Sequence, residues 1–279
     1  MARPLRIQYE GAFYHITARG NEKKEIFTND TDRNKFIQIL ESVAEKYGWL
    51  IHAYCLMSNH YHLLVETPLK NLSAGMRQLN GVYTQSFNKR HRRIGHLFQG
   101  RFKSYLIEKE RYLLEVCRYI VLNPVRARIV NDPIKWEYSS YGKTSGDRRR
   151  YKYLYPDLIL SFFSDSLTGA QKGYIKFIKE GIGKESPFKE AHGGFILGGE
   201  KFVKSVMEKN KNINCEEITK SERYIGRPSL RDIFAEKERD EGIAVAINQW
   251  GYTLKNVGKY VGLHYAWVSK IAKKAKNKT

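Results

Sequence analysis

The chain has 279 residues, with 49 Lys plus Arg against 29 Asp plus Glu, a formal net charge of +20. A hydrophobic share of 42% supports a buried core and excludes a wholly disordered chain. No stretch approaches the roughly 20 apolar residues of a membrane span, and the opening MARPLRIQYEGAFYHI lacks the apolar core of a signal peptide. The expectation is a cytoplasmic protein with no membrane contact. Cys55, Cys117 and Cys215 form no CxxC pair, so neither a disulfide framework nor a cysteine zinc site is expected. A cationic excess of this size points to a polyanionic partner. The 13% aromatic content, with 19 tyrosines, suits single-stranded nucleic acid, where rings stack on bases and cations meet phosphates.

In chain order, residues 12–18 (AFYHITA) are β-branched and aromatic and predict a strand ended by Gly20-Asn21. Residues 31–47 carry Phe36, Ile37, Leu40, Val43 and Ala44 at helical spacing, and Gly48 stops that helix. Residues 49–57 and 60–66 predict two strands. Only Ser58-Asn59 separates them, so they must form a hairpin. A helix over 72–88, a strand over 102–107 and a helix over 109–122 follow, the last stopped by Asn123-Pro124. The order β-α-β-β-α-β predicts an α+β fold, a split βαβ, ferredoxin-like antiparallel sheet with helices on one face and the other face open for a site. The boundaries are expected at 1–145 for this domain, 146–228 for a helical connecting region and 229–279 for a terminal DNA-binding unit. SSYGKTSGDRRRY reads as the first linker and glycines 193, 194, 198 and 199 as loops.

His60 and His62 stand two apart at the start of a predicted strand, so both face the same side with Cα atoms about 6.6 Å apart. Two imidazoles at that spacing can converge on one cation; they equally fit two solvated surface histidines. Tyr61 points the other way, toward the helices. Tyr119 and Asn123 lie four apart on one helix face. A phenol oxygen can attack and an amide oxygen can ligate, while an Asn before Pro is also an ordinary helix terminator.

Residues 86–103 (SFNKRHRRIGHLFQGRFK) hold Lys89, Arg90, Arg92, Arg93, Arg101 and Lys103 with no acid and with Phe87, Phe98 and Phe102 interleaved. That run predicts a DNA track gripping phosphates, extended by Arg126 and Arg128. Residues 253–273 (TLKNVGKYVGLHYAWVSKIAK) predict a helix-turn-helix: small Gly258 where helices cross, Gly262 in the turn, and Val257, Val261, Leu263, Val268 and Ile271 holding the angle. Its second helix would offer His264, Tyr265, Trp267, Ser269 and Lys270 to a groove, and a lysine-rich stretch, Lys270 to Lys278, follows.

Taken together, YHITARGN, MSNHYHLLVE, HLFQGRFKS and RYIVLNPVRA resemble the single-tyrosine HUH transposases of small insertion sequences, and among them the REP-associated tyrosine transposases. The likeness covers about residues 3–140. It implies His60 and His62 as metal ligands, Tyr119 as nucleophile, and Asn123 at the place of a third ligand that related enzymes often fill with Gln. Ligand type alone suggests zinc or another transition metal; the resemblance implies Mg²⁺ or Mn²⁺. It further implies cleavage and rejoining of single-stranded DNA beside hairpins through a 5′-phosphotyrosine, and a guide contact by Arg19 and the first dozen residues. Small relatives can form dimers with shared active sites, so a monomer and a homodimer both fit. Residues 228–279 resemble the C-terminal, duplex-binding domain of the replication initiator DnaA. A catalytically inactive DNA-binding regulator acting through the terminal unit is the competing reading. An RNA-recognition sheet is a third, poorly matched because it needs an aromatic-rich Gly-Phe strand.

Overall fold

A computed structural model describes residues 7–146, 153–208, 228–235 and 237–276. Cys215, Lys278, the side chain of Lys276, the first six residues and the basic end of the expected linker lie outside the described residues.

The tight connection at Met57–Asn59 fixes the register of β2 (Leu50–Leu56) on β3 (His60–Thr67), with Met57 N–H donating to His60 C=O at 2.9 Å. β1 (Ala12–Arg19) and β4 (Lys103–Ile107) complete an antiparallel four-stranded core in the order β2-β3-β1-β4, and β5 (Ile196–Leu197) joins β4 in parallel. Helix α1 (Asp30–Tyr47) links β1 to β2, and α2 (Leu72–Arg90) links β3 to β4. Each linked pair is parallel with one strand inserted between, which is the ferredoxin-like arrangement expected.

α1 starts where the Asn29 side chain accepts from Asp32 N–H, and stops where Gly48 takes a left-handed φ of 67°. Both helices pack on the face carrying Tyr61. The Phe36 ring lies 4.7 Å from Tyr61 and 5.1 Å from Tyr83, and Tyr61 donates its hydroxyl proton to Asn80 Oδ1 at 2.6 Å.

The other face is not open, contrary to expectation. α3 (Lys109–Val121) lies on it: Leu113, Val116, Cys117 and Ile120 share one buried cluster with Phe13, Ala53, Cys55, Leu64 and Ile107. The cause is local. α3 has an apolar stripe that must be covered, and alternate strand positions offer the matching apolar surface. α4 (Leu167–Lys179) adds Ala170, Tyr174 and Ile178 to the same cluster.

β5 and α4 come from the stretch expected to connect two domains. The chain divides into one unit over Arg6–Phe202 and another from Val203 onward, so the division falls at neither 145 nor 228. β5 is held by backbone pairing, with Leu106 and Glu108 N–H donating to Phe195 and Leu197 C=O at 2.8 Å each. A two-residue strand has no period to read in a sequence.

The second unit is helical: α5 (Leu230–Ala235), α6 (Arg239–Ala244) continued by a π turn, α7 (Leu254–Val261) and α8 (Tyr265–Lys276). Ile233, Ile243, Ala246, Val257, Val268 and Ala272 form its core. Gly262 turns the chain at φ 72°, and a Cβ on Gly258 would stand 2.6 Å from Leu263 O, so the close crossing requires glycine there. Among the described residues no helix is long and apolar enough to cross a membrane.

Two glycines of α2 test the packing. A Cβ at Gly75 would lie 2.1 Å from the buried Trp49 ring, whereas one at Gly81 meets nothing within 4 Å. Gly75→Ala is expected to cost about 1–3 kcal/mol by overpacking, and Gly81→Ala to stabilise by about 0.5–1 kcal/mol. Thermal denaturation of both variants checks this, since equal shifts would contradict the packing.

Candidate active site

The side-chain period of β3 sets His60 and His62 on one face, opposite Arg19 and Thr17 of β1, and Thr17 in turn pairs with Lys103 of β4. The two imidazole rings lie 4.9 Å apart, nearly perpendicular. His60 Nδ1 lies 2.6 Å from Asn59 Oδ1. An amide oxygen only accepts, so Nδ1 carries the proton and Nε2 keeps its lone pair. His62 is buried, its ring stacks on His15 at 5.0 Å, and its Nδ1 lies 2.8 Å from His15 Nε2. His62 Nε2 and His15 Nδ1 are then buried nitrogens without a hydrogen-bond partner.

Burial holds these rings neutral. It pushes His60 down to about 4, with the Arg19 charge adding, and His15 down to about 3. His62 is lowered well below its usual value, first by burial and then by the charges that His15 and His60 would carry.

α3 carries Tyr119 to this pair. Its ring lies edge-on to His62 at 5.8 Å and to His15 at 6.0 Å. The Arg126 guanidinium lies over the Tyr119 ring, 5.0 Å from its centroid, while Arg126 Nη1 donates to Lys184 C=O at 2.7 Å. Asn123 opens a helical turn after α3, and its Nδ2 donates to Tyr119 C=O at 2.9 Å and to Ile120 C=O at 3.3 Å. The helix-terminating role is therefore realised, and the side-chain oxygen is the atom left with ligand chemistry. Among the described residues no three His, Cys, Asp or Glu side chains group as a metal-holding cluster. His15 stands behind His62 rather than beside it.

Arg19, Arg101 and Lys103 line a cavity of about 630 Å³ together with His60 and Gln99. Lys89, Arg90, Arg92 and Arg128 are exposed, and Arg93 is half-buried with its guanidinium 5.9 Å from the Phe87 ring. The phenylalanines interleaved with these cations are not stacking platforms: Phe87, Phe98 and Phe102 are buried. Their spacing points them into the core while the cations between them face outward. In the second unit His264, Tyr265, Trp267 and Lys270 are exposed and Ser269 is half-buried, with Lys270 Nζ 5.0 Å over the Trp267 ring.

Two members of the site escape a reading of the sequence. His15 could have been found, since it shares a strand face with the polar Thr17 and Arg19. Phe188 gives no such signal. It comes from a 3₁₀ turn (Pro187–Glu190), yet its ring lies 4.5 Å from His15, 4.5 Å from Tyr105 and 5.1 Å from Tyr119. Glu190 Oε2 anchors that turn by accepting from Tyr112 OH at 2.7 Å.

Residues 8–123 match the family described as "Transposase IS200 like". A Haemophilus influenzae Rd protein, assigned by name as a REP-associated tyrosine transposase, is 27% identical over 144 residues, covering 47% of this chain and 81% of that protein. A solved REP-associated tyrosine transposase bound to a REP hairpin is similar over 56% of this chain and 98% of its own, with 18% identity and a TM-score of 0.47. A Deinococcus radiodurans R1 protein, assigned by name as a transposase, is similar over 46% of this chain and 92% of its own, with 16% identity and a TM-score of 0.31. The resemblance read from the four motifs is thus met by the family match and the Haemophilus influenzae relative.

Neutral, desolvated histidines fix a pH dependence. An unfolded histidine titrates near about 6.5, and these titrate lower in the fold, so below that value the unfolded chain binds more protons. Stability is full above about pH 6.5 and falls as pH drops toward about 4. His60→Gln should flatten this slope in urea denaturation across the window. A variant slope equal to the parent's would contradict the assignment.

Proposed function

We propose that this chain, whose first unit carries the IS200-like transposase match, cuts and rejoins single-stranded DNA beside hairpins, with Tyr119 as the attacking group. The family match and the named relatives tie it to DNA processing. The observation that carries the finer reading is the approach of the Tyr119 ring to within 5.8 Å of the His62 ring, although the two are far apart in the chain.

The residues fit a divalent cation. His60 Nε2 has its lone pair free, and His62 Nε2 is a buried nitrogen otherwise without a partner. If His62 Nδ1–H donates to His15 Nε2, the His62 lone pair sits on Nε2, as ligation needs. With Asn123 Oδ1 as a third donor, Mg²⁺ or Mn²⁺ would supply Lewis-acid polarisation of the scissile phosphate.

The chain's own groups do the rest. Arg19, Arg101 and Lys103 hold phosphate oxygens of the entering strand. Tyr119 Oη forms a bond to phosphorus, the phenol proton leaves, and the P–O3′ bond breaks as the 3′ oxygen takes a proton. The products are a 5′-phosphotyrosine and a free 3′-hydroxyl. The phosphodiester count is conserved, so attack by another 3′-hydroxyl restores tyrosine and needs no ATP. Arg126, over the Tyr119 ring, packs against the attacking side chain.

Incubation with labelled hairpin DNA and Mn²⁺ should yield a denaturation-resistant protein–DNA adduct that Tyr119→Phe abolishes. Hairpin binding with no adduct would instead favour the inactive regulator. His15→Ala should weaken Mn²⁺ binding by about tenfold or more, read by calorimetry without turnover; unchanged affinity would remove His15 from the site.

The second unit is assigned to duplex DNA through the exposed aromatic and basic side of α8, with His264, Tyr265, Trp267 and Lys270 toward the groove. Lys270→Ala in the full chain should lower the slope of log affinity against log salt on a plain duplex by about 0.9. An unaltered slope would place the duplex contact elsewhere.

A further inference from the structure

Ile94 is almost wholly solvent-exposed, at 97%, while the next most exposed large apolar side chain among the described residues, Leu167, is at 62%. It sits at the tip of the loop between α2 and β4, in the run Arg92-Arg93-Ile94-Gly95-His96. The loop is built rather than slack. Asn88 Nδ2 donates to Gly95 C=O at 2.9 Å, and Arg93 N–H donates to Asn88 C=O at 2.9 Å. The backbone is left-handed at Arg92, φ 48°, a conformation that costs a side-chain-bearing residue energy, and again at Gly95, φ 91°. Below the tip, the His91 ring lies 4.3 Å from Phe87 while its Nε2 bonds the buried Asp32 carboxylate at 2.9 Å. A strained, multiply tied loop that holds a branched aliphatic side chain in water has placed it for something outside the chain.

The surroundings select the partner. Residues 67–107 contain eight Lys or Arg and no Asp or Glu. Among the described residues, Asp32 near Arg90 and Glu22 near Arg93 are carboxylates that approach the loop's cations. A second copy of the same loop would meet it with like charge, whereas a polyanion would not. The loop also rises from the rim of the basic cavity: Asn21 N–H donates to Leu97 C=O at 2.8 Å and Gln99 N–H to Arg19 C=O at 2.9 Å. Three residues of chain reach at most about 10 Å, so Ile94 lies within that distance of Leu97.

We propose that Ile94 is an apolar wedge that enters the base stack where paired DNA gives way to the single strand held in the Arg19–Arg101–Lys103 cavity, and so sets where the duplex ends. This rests on the single-stranded DNA reading above and names the feature of the substrate that the loop reads. Aliphatic side chains inserted at a base step unstack it while flanking cations hold the phosphates. The Ile94 side chain has no hydrogen-bonding atom, so the wedge reads a junction rather than a sequence.

The test uses the full chain with EDTA present, so that no strand is cut. Its probes are a DNA hairpin with a single-stranded tail, carrying 2-aminopurine in the last base pair of the stem, and the tail alone. The parent protein should raise 2-aminopurine fluorescence on binding. Ile94→Ala should abolish the rise and weaken hairpin binding about tenfold while leaving tail binding within about twofold; Ile94→Phe should keep the rise. A rise that persists in Ile94→Ala, or an equal loss on both probes, overturns the wedge. If the Tyr119-dependent adduct still forms with Mn²⁺ in that case, the wedge alone has failed. If the parent protein binds neither probe, both readings fail.

Discussion

Everything at the candidate site depends on the burial of the apolar stripe of α3 against the sheet. Leu113, Val116, Cys117 and Ile120 must leave water, and Phe13, Ala53, Cys55 and Leu64 offer the surface. Each such side chain contributes about 1.5–3 kcal/mol when fully buried. Once they are seated, the helix has no freedom of rotation, and Tyr119 arrives at the edge of the apolar patch where histidines replace aliphatics. The hydrophobic core thus does the positioning, and the polar site is where that core ends.

The second constraint is electrostatic. His15 and His62 are buried and His60 is half-buried beside His62, and desolvation lowers the proton affinity of all three. Neutral rings stack without repulsion and keep lone pairs that charged rings would lose. The cationic charge is kept outside that core, on Arg19, Arg101, Lys103 and the loop of α2. Charge for holding phosphates and neutral donors for holding a cation are therefore separated over a few residues of the same strands.

Much of this was legible in the sequence. Strand and helix order, the hairpin and the ends of α1 follow from period and glycine placement, and the structure has β1–β4 and α1–α3 within about two residues of the expected bounds. The convergence of His60, His62 and Tyr119 was legible only through the motif resemblance, because periodicity says nothing of which helix meets which face. Three features were out of reach. α3 covers a face expected to be open, β5 is too short for a pattern, and Phe188 joins the site through tertiary packing alone. The interleaved phenylalanines show the same limit: composition names a basic-aromatic run, but only burial separates Phe98 in the core from an exposed stacking ring.

The central claim is that the Tyr119 oxygen becomes covalently bound to DNA. Mass spectrometry of a tryptic digest after reaction with hairpin DNA and nuclease trimming tests it most directly. Cleavage after Arg118 and Arg126 releases YIVLNPVR with Tyr119 at its first position. The account predicts a nucleotide phosphate added to that peptide and localised to the tyrosine. The same mass on a peptide from another tyrosine, or unmodified peptides from a protein that has cut its DNA, would contradict it.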